Sequence, residues 1–372
     1  MKALVSGGAG FIGSHLVDAL LERNYDVVVL DNLEARVHGA AAKPALPRGV
    51  RFLRADVRDR DAWEQALQGV EVVFHQAAYQ DYMPDYSTFF HTNVVGTALL
   101  FEVIRQRLLN VRKVVVASSQ AVYGEGQYQC ETHGLVLPPA RNSEQMRRGQ
   151  WDLACPQCGG TLQSLLLREE FPNPFNQYAL SKFSQEMAAI RLGRAVGVPT
   201  VAMRYSITQG PRQSLLNQYS GILRIFLWRI KAGQPLCIYE DGLQTRDFVH
   251  VKDVVAANLL VLDNDKANYE TFNVGSGQRT TVLDYAQRLA RKLGVEVDLR
   301  IRGEFREGDN RHSVSSIEKL GSLGWAPLLG LGHIMDDFLA WIENLGALPS
   351  GIPDVDELMR AGGVVLAAGG SR

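Results

Sequence analysis

The chain has 372 residues, and its 39 Lys+Arg against 40 Asp+Glu leave a formal net charge of -1. That balance excludes a basic nucleic-acid footprint and a polybasic membrane anchor, and no run approaches the ~20 apolar residues of a membrane span. Four cysteines (Cys130, Cys155, Cys158 and Cys237) exclude a disulfide-rich secreted scaffold, and the apolar N-terminus, broken by glycines, His15 and Asp18, is no signal peptide, so a cytoplasmic protein is expected.

Residues 2–6 read as a short buried strand. Residues 14–23 read as a helix, with Leu16, Val17, Leu20 and Leu21 on a helical period. Strands follow at 26–30, 50–54, 70–75 and 113–118, with helices at 61–68 and 89–107. This alternation predicts right-handed βαβ crossovers and a parallel, doubly wound α/β sheet of Rossmann type. Residues 126–172 break the pattern: they hold three cysteines, several prolines and few periodic apolar positions. Regular structure resumes with a helix at 176–196 and a strand at 200–205. Residues 1–125 and 173–205 are therefore expected to form the dinucleotide-binding domain, 126–172 an insertion, and 206–345 mainly a smaller α/β substrate lobe. The tail, 346–372, is rich in Gly, Ala and Pro. Its end, from Gly363, resembles the opening strand and glycine loop of a nucleotidyltransferase, so it is either the edge of a fused domain or a loose tail.

Gly7-Gly8-Ala9-Gly10-Phe11-Ile12-Gly13 lies between the first strand and the first helix. Glycines at this spacing permit a tight turn, close approach to a pyrophosphate and close packing of helix on sheet. The helix N-terminus adds N–H donors and a positive dipole. Asp31, ending the second strand, suits a ribose 2′-hydroxyl and repels a 2′-phosphate, which favours NAD over NADP. Tyr178 and Lys182, four apart on a helix, share a face. A lysine ammonium there is expected to pull the phenol toward neutrality and make it a general base. Ser118 and Ser119, at the end of a strand, bring a hydroxyl toward it.

With these motifs in order, the chain resembles the extended short-chain dehydrogenase/reductase family, in its UDP-galactose 4-epimerase and dTDP-L-rhamnose 4-epimerase branch. The resemblance covers roughly residues 1–345. It also rests on Asp56-Val57, His75-Gln76-Ala77-Ala78, Asn93, Arg204-Tyr205, Gly210-Pro211-Arg212-Gln213, Arg246-Asp247-Phe248-Val249-His250-Val251 and Asp253. It implies that Asn32, Asp56, Val57, Ala77, Ala78, Asn93 and Ser118 join the glycine turn and Asp31 around NAD. Lys182 would also bind the nicotinamide ribose. Tyr178, Lys182 and Ser119 would be catalytic. Arg246 and Arg306, with Asp309, Ser119, Gln120 and Asn217, would bind a nucleotide-diphosphate sugar. A homodimer through the two long helices is expected. His75 reads as a packed strand-end histidine, and Cys237 as a core thiol.

In the family's dehydratases and decarboxylases an acid follows the serine; here Gln120 and Ala121 do. A base, a hydroxyl and a nicotinamide remain, enough for reversible oxidation at C4 and hence 4-epimerisation. The alternatives are a dehydrogenase, reductase or dehydratase of the same family, and a non-catalytic nucleotide-binding scaffold. The asparagine that the family often places to meet the sugar nucleotide is Ile207 here, with Thr208, Gln209 or Asn217 as substitutes. The insertion holds Cys130-x-x-His133 and Cys155-x-x-Cys158, a spacing that resembles a zinc ribbon and would supply four tetrahedral ligands to a structural zinc. Similar insertions occur in the dTDP-L-rhamnose 4-epimerase branch, which tilts the expected substrate toward a dTDP-deoxysugar.

Overall fold

The structure is a computed structural model that describes residues 1–40, 43–81, 84–217, 221–346 and 355–369. The first lobe runs β1 (Lys2–Ser6), α1 (Phe11–Glu22), β2 (Asp26–Asp31), α2 (Ala35–His38), β3 (Arg51–Arg54), α3 (Arg60–Ala66) and β4 (Val72–His75). It continues through α4 (Tyr86–Phe89), a π-helical run Phe90–Val95, α5 (Gly96–Gln106) and β5 (Lys113–Ser119). The single helix expected at 89–107 is thus widened by a π segment, which carries Asn93. After the insertion come α7 (Gln177–Val196) and β9 (Thr200–Tyr205), α6 being a short helix (Ser143–Arg147) within the insertion.

A seven-stranded parallel sheet has the order β14-β9-β5-β4-β1-β2-β3, where β14 (Thr271–Val274) returns from the later half of the chain. Its inner strands are mostly apolar and buried because both faces are covered, whereas the edge strand β3 exposes Arg51 and Arg54. Alternate residues part to opposite faces. Val27 and Val29 of β2 meet Leu16, Val17 and Leu20 of α1, while Val28 and Leu30 meet Trp63, Leu100 and Phe101.

The second lobe is built from β10 (Ile207–Gln209), α8 (Ile222–Lys231), β11 (Leu236–Ile238), β12 (Thr245–Arg246), β13 (Phe248–His250) and α9 (Val251–Asp263). Beyond β14 it adds β15 (Thr280–Thr281), α10 (Val282–Leu293), β16 (Leu299–Ile301), β17 (Glu304–Arg306), β18 (His312–Ser313), α11 (Glu318–Gly321) and α12 (Leu331–Asn344). Its core packs Leu223 and Phe226 of α8 against Tyr285 and Leu289 of α10 and Ile334 and Phe338 of α12.

Within the insertion, β6 (Tyr128–Cys130) lies between β7 (Gly134–Val136) and β8 (Gln163–Ser164), all antiparallel. Tyr128, Cys130, Val136, Leu153, Cys155 and Leu162 make its small core. The described part of the tail is folded: α13 (Val355–Ala361) leads to β19 (Val365–Ala367), which pairs antiparallel with β17. Met359 and Val365 pack on Ile225 and Tyr239, and Arg360 pairs with Glu304 at 2.7 Å. Residues 370–372, the end of the nucleotidyltransferase-like stretch, lie outside the described residues.

Candidate active site

The strand order reverses beside β1, where β4 and β2 flank it, and a crevice opens at the carboxyl ends of such strands. A cavity of about 800 Å³ fills it and runs into the second lobe. At its start, Gly7 has φ +70, and a Cβ there would lie 2.7 Å from the Ala77 amide nitrogen. A Cβ on Gly13 would lie 2.1 Å from the Gly7 carbonyl oxygen. No other residue fits either position, so the turn stays thin and α1 begins against it. Gly10 caps α1 without a side-chain bond, leaving first-turn amides facing the cavity beside Phe11 and Ile12.

Asp31 accepts the Ala9 amide at 3.0 Å and the Leu33 amide at 2.9 Å, and lines the cavity. Asn32 donates to Asp56 at 2.9 Å. Arg58 grips the same carboxylate at 2.8 Å. Asn32, Asp56, Val57, Ala77 and Ala78 all border the cavity. Asn93 does not border it. It is buried, with its Oδ1 accepting the Tyr79 amide and its Nδ2 donating to Ser181. It therefore shapes the wall from behind, holding the loop after β4 to α7. His75 is also buried, between Ser6 and Thr97, and burial pulls its pKa down to about 3, helped by the charge of Lys182.

Tyr178 and Lys182 project from the first turns of α7, whose start is fixed by Asn176 accepting the Ala179 amide at 2.8 Å. The Tyr178 phenol hydrogen-bonds Ser119, whose oxygen also accepts the Ala121 amide at 3.1 Å. The expectation of a phenol near neutrality is not met in this arrangement. Burial pushes Tyr178 up to about 12 against the opposing Ser119 bond. The Lys182 ammonium instead donates to the Ala117 carbonyl and to Gln185, both at 2.5 Å, and burial draws it down to about 7 against the pull of Glu186. Ser118 turns from the cavity centre to donate to Glu186 at 2.9 Å. Glu186 in turn holds Arg204 at 2.6 Å, so a buried ion pair backs the pair from behind.

Further in, Arg246 and Arg306 converge on the carboxylate of Asp309, at 3.0 and 2.7 Å. Asp309, expected among the substrate contacts, borders the cavity and is also the counter-ion that orients both guanidinium groups. The two arginines hold its carboxyl down at about 2 despite burial. Gln120 borders the cavity, and its buried Oε1 has no partner among the described residues, an acceptor suited to a sugar hydroxyl. Ile207, Thr208 and Asn217 line the wall. Gln209 does not; it accepts the Tyr285 hydroxyl at 2.8 Å inside the second lobe.

Three features left no signal in the sequence. Arg36, on α2, borders the cavity and stacks over Tyr79. Cys237 is no core thiol: it is half-buried and lines the cavity beside Tyr239. Asp356 and Met359 of α13 close the same end, where Asp356 accepts from Tyr239 at 2.6 Å and pairs with Arg229 at 3.0 Å.

Outside the cavity, the ligand atoms of Cys130, His133, Cys155 and Cys158 all lie within 4.8 Å of one another. Among the described residues, no helix is long and apolar enough to cross a membrane.

The NAD dependent epimerase/dehydratase family model matches residues 3–143 and 157–275, the gap between the two matches falling inside the insertion. The dTDP-L-rhamnose 4-epimerase of Burkholderia thailandensis is 34% identical over 350 residues, spanning 92% of this chain and 95% of that protein. The UDP-glucose 4-epimerase of Thermus thermophilus, solved in complex with NAD, is 30% identical with a TM-score of 0.72, covering 94% of this chain and all of that one. The UDP-glucose 4-epimerase of Thermotoga maritima, solved with UDP-glucose, has a TM-score of 0.74 at 28% identity, over 93% of this chain and all of that one. On the turn at Gly7–Gly13, the Tyr178–Lys182 helix and these matches, the chain belongs to the NAD dependent epimerase/dehydratase family.

Proposed function

We propose that the protein is a nucleotide-sugar 4-epimerase that retains NAD and acts on a dTDP- or UDP-hexose. One observation carries this reading. Tyr178 and Ser119 meet at the cavity, and the two residues after the serine, Gln120 and Ala121, carry no acid to expel a hydroxyl. The glycine cradle and Asp31 fit a dinucleotide. The turn would hold the pyrophosphate, Asp31 and Asn32 the ribose, Asp56 and Val57 the adenine, and Lys182 the second ribose. NAD, when bound, would supply reversible hydride transfer at C4. Tyr178 takes the C4 hydroxyl proton and later returns it, with Ser119 sharing it. Arg246 and Arg306 hold the diphosphate, forked donors suiting its oxygens. The sugar pivots on that anchor and presents its other face, while Gln120 meets a hydroxyl.

The relatives support both nucleotides: one is a dTDP-L-rhamnose 4-epimerase and two are UDP-glucose 4-epimerases. The test is a panel of dTDP- and UDP-sugars given to the enzyme with no added NAD, read by product NMR. Inversion at C4 is expected. Accumulation of free NADH with no inverted sugar would instead identify a dehydrogenase and defeat the reading.

Two further parts belong to the proposal. The Cys130, His133, Cys155 and Cys158 cluster holds a structural zinc, because its donors are the soft and borderline set of a closed tetrahedral site. Protein purified without chelator should carry near one zinc per chain, and less than about a fifth of that would refute it. The protein also forms a homodimer through α5 and α7. Leu180 and Met187, two turns apart on α7, and Val95, which ends the π segment leading into α5, are apolar yet exposed. A cytoplasmic location accords with the four cysteines forming no disulfide with one another.

A further inference from the structure

The insertion is not a peripheral ornament, because its polar residues run into the wall that carries the arginines. The Arg141 side chain is 0% exposed although it lies in the inserted segment. Its Nε donates to Glu125 at 3.0 Å, its Nη1 to Glu240 at 2.9 Å and to the Trp151 carbonyl at 3.1 Å. Its Nη2 donates to the main-chain carbonyl of Asp309 at 2.9 Å. The side chain of that same Asp309 orients Arg246 and Arg306 in the cavity.

A second arginine closes the circuit. Arg311 donates to Glu240 at 2.9 Å, to Asp241 at 2.7 Å, and to Asp152 of the insertion at 2.8 Å. The Arg311 amide donates to Glu125, the residue that also holds Arg141. The loop from Arg306 to Arg311 is therefore fastened on one side by its own lobe and on the other by the insertion. Buried ion pairs of this kind add little stability over apolar packing, but they fix geometry.

The other end of the insertion depends on its cysteines. Two of the six residues in its small core are Cys130 and Cys155. Cys155 is close in sequence to Trp151 and Asp152, which touch Arg141 and Arg311, and the Trp151 ring lies 6.0 Å from Phe305 on β17. A metal bound at the cluster would fix the segment that carries these contacts. With so little apolar area of its own, the segment has few other means of holding a single conformation.

We infer that the inserted segment is a metal-organised brace for the diphosphate clamp, with Arg141 as the positioning residue that sets Asp309 and, through it, Arg246 and Arg306. This rests on the clamp being where the nucleotide diphosphate binds, as proposed above. Arg141 does not border the cavity; it acts through the backbone of the clamp loop. Loss of the brace changes nucleotide affinity and leaves the NAD site, on the far side of the cavity, intact.

The experiment measures dTDP and UDP affinity by calorimetry on the full-length protein, alongside zinc content, bound NAD and steady-state kinetics. Cys158→Ser alters an exposed ligand remote from the cavity. It is expected to lose the metal and to weaken binding of dTDP or UDP about tenfold, with KM raised more than kcat is lowered and NAD content near that of the parent. Arg141→Met is expected to do the same with the metal retained, and Arg141→Lys to recover part of the affinity. Where Arg141→Met yields no folded protein, Asp152→Asn loosens Arg311 from the exposed side and takes its place. Metal loss with nucleotide affinity within about twofold of the parent would overturn the link between metal and clamp. A metal-free parent would overturn the metal part alone, and unchanged affinity in the Arg141 and Asp152 variants would overturn the brace. A parent that binds neither dTDP nor UDP would remove the clamp reading itself.

Discussion

Tyr178 is a base only when something offsets its burial. On its own its phenol is held up at about 12, and Lys182, drawn down to about 7, is turned to Ala117 and Gln185. Burial therefore costs both residues their charged forms, which ties reactivity to what fills the cavity. Tyr178→Phe should lower kcat by at least about 10²-fold while bound NAD stays near the parent level, measured by turnover and by cofactor content after denaturation. His75 makes a different prediction. Burial lowers its folded pKa from 6.5 to about 3, so between those values the unfolded chain binds the proton that the folded chain refuses. Stability from this group is complete above about pH 6.5 and declines as pH falls, by up to about 1.4 kcal/mol per pH unit, until about pH 3. Denaturant titrations from pH 7 to 4 should show this slope. His75→Asn should flatten it, and an identical slope in that variant would assign the effect elsewhere, His312 being a second histidine lowered by burial, to about 4.

At the scale of elements, α13 and β19 are the least expected part of the site. They turn a Gly- and Ala-rich tail into a wall: β19 extends β17, and Asp356 and Met359 reach the cavity beside Tyr239. Met359→Trp, which fills this end, should raise KM for the nucleotide sugar about tenfold without loss of NAD; an unchanged KM would mean that the substrate stops short of it. Local patterns explain what was legible. The β1-turn-α1-β2 unit, the Tyr178–Lys182 spacing and the cysteine pairs are each written within a few residues, and periodicity and glycine spacing report them. The rest depends on partners far apart in sequence. Arg141 finds Glu240 at 2.9 Å across 99 residues, and the isolated arginine carries no trace of it. That Asp309 holds both Arg246 and Arg306 is likewise settled only by the folding of the clamp loop. Asn93 matches a motif position yet serves behind the wall, because a π segment sets which way the helix turns its side chains.

The whole molecule is two lobes around the cavity, with exposed apolar residues on α7 and on the π segment that leads into α5. Leu180→Glu together with Met187→Lys should convert a dimer to a monomer in light scattering after gel filtration; a dimer that persists would move the interface elsewhere. The distribution of the cavity wall along the chain has a consequence for synthesis. The sheet that carries the glycine turn is complete once β14 ends at Val274, whereas the far wall waits for Met359. A chain emerging from the ribosome thus gains its dinucleotide crevice before the opposite wall exists. A dinucleotide captured at that stage would stabilise the early lobe and then be enclosed as the second lobe forms over it. The coenzyme would be a participant in assembly, installed during translation and left in place.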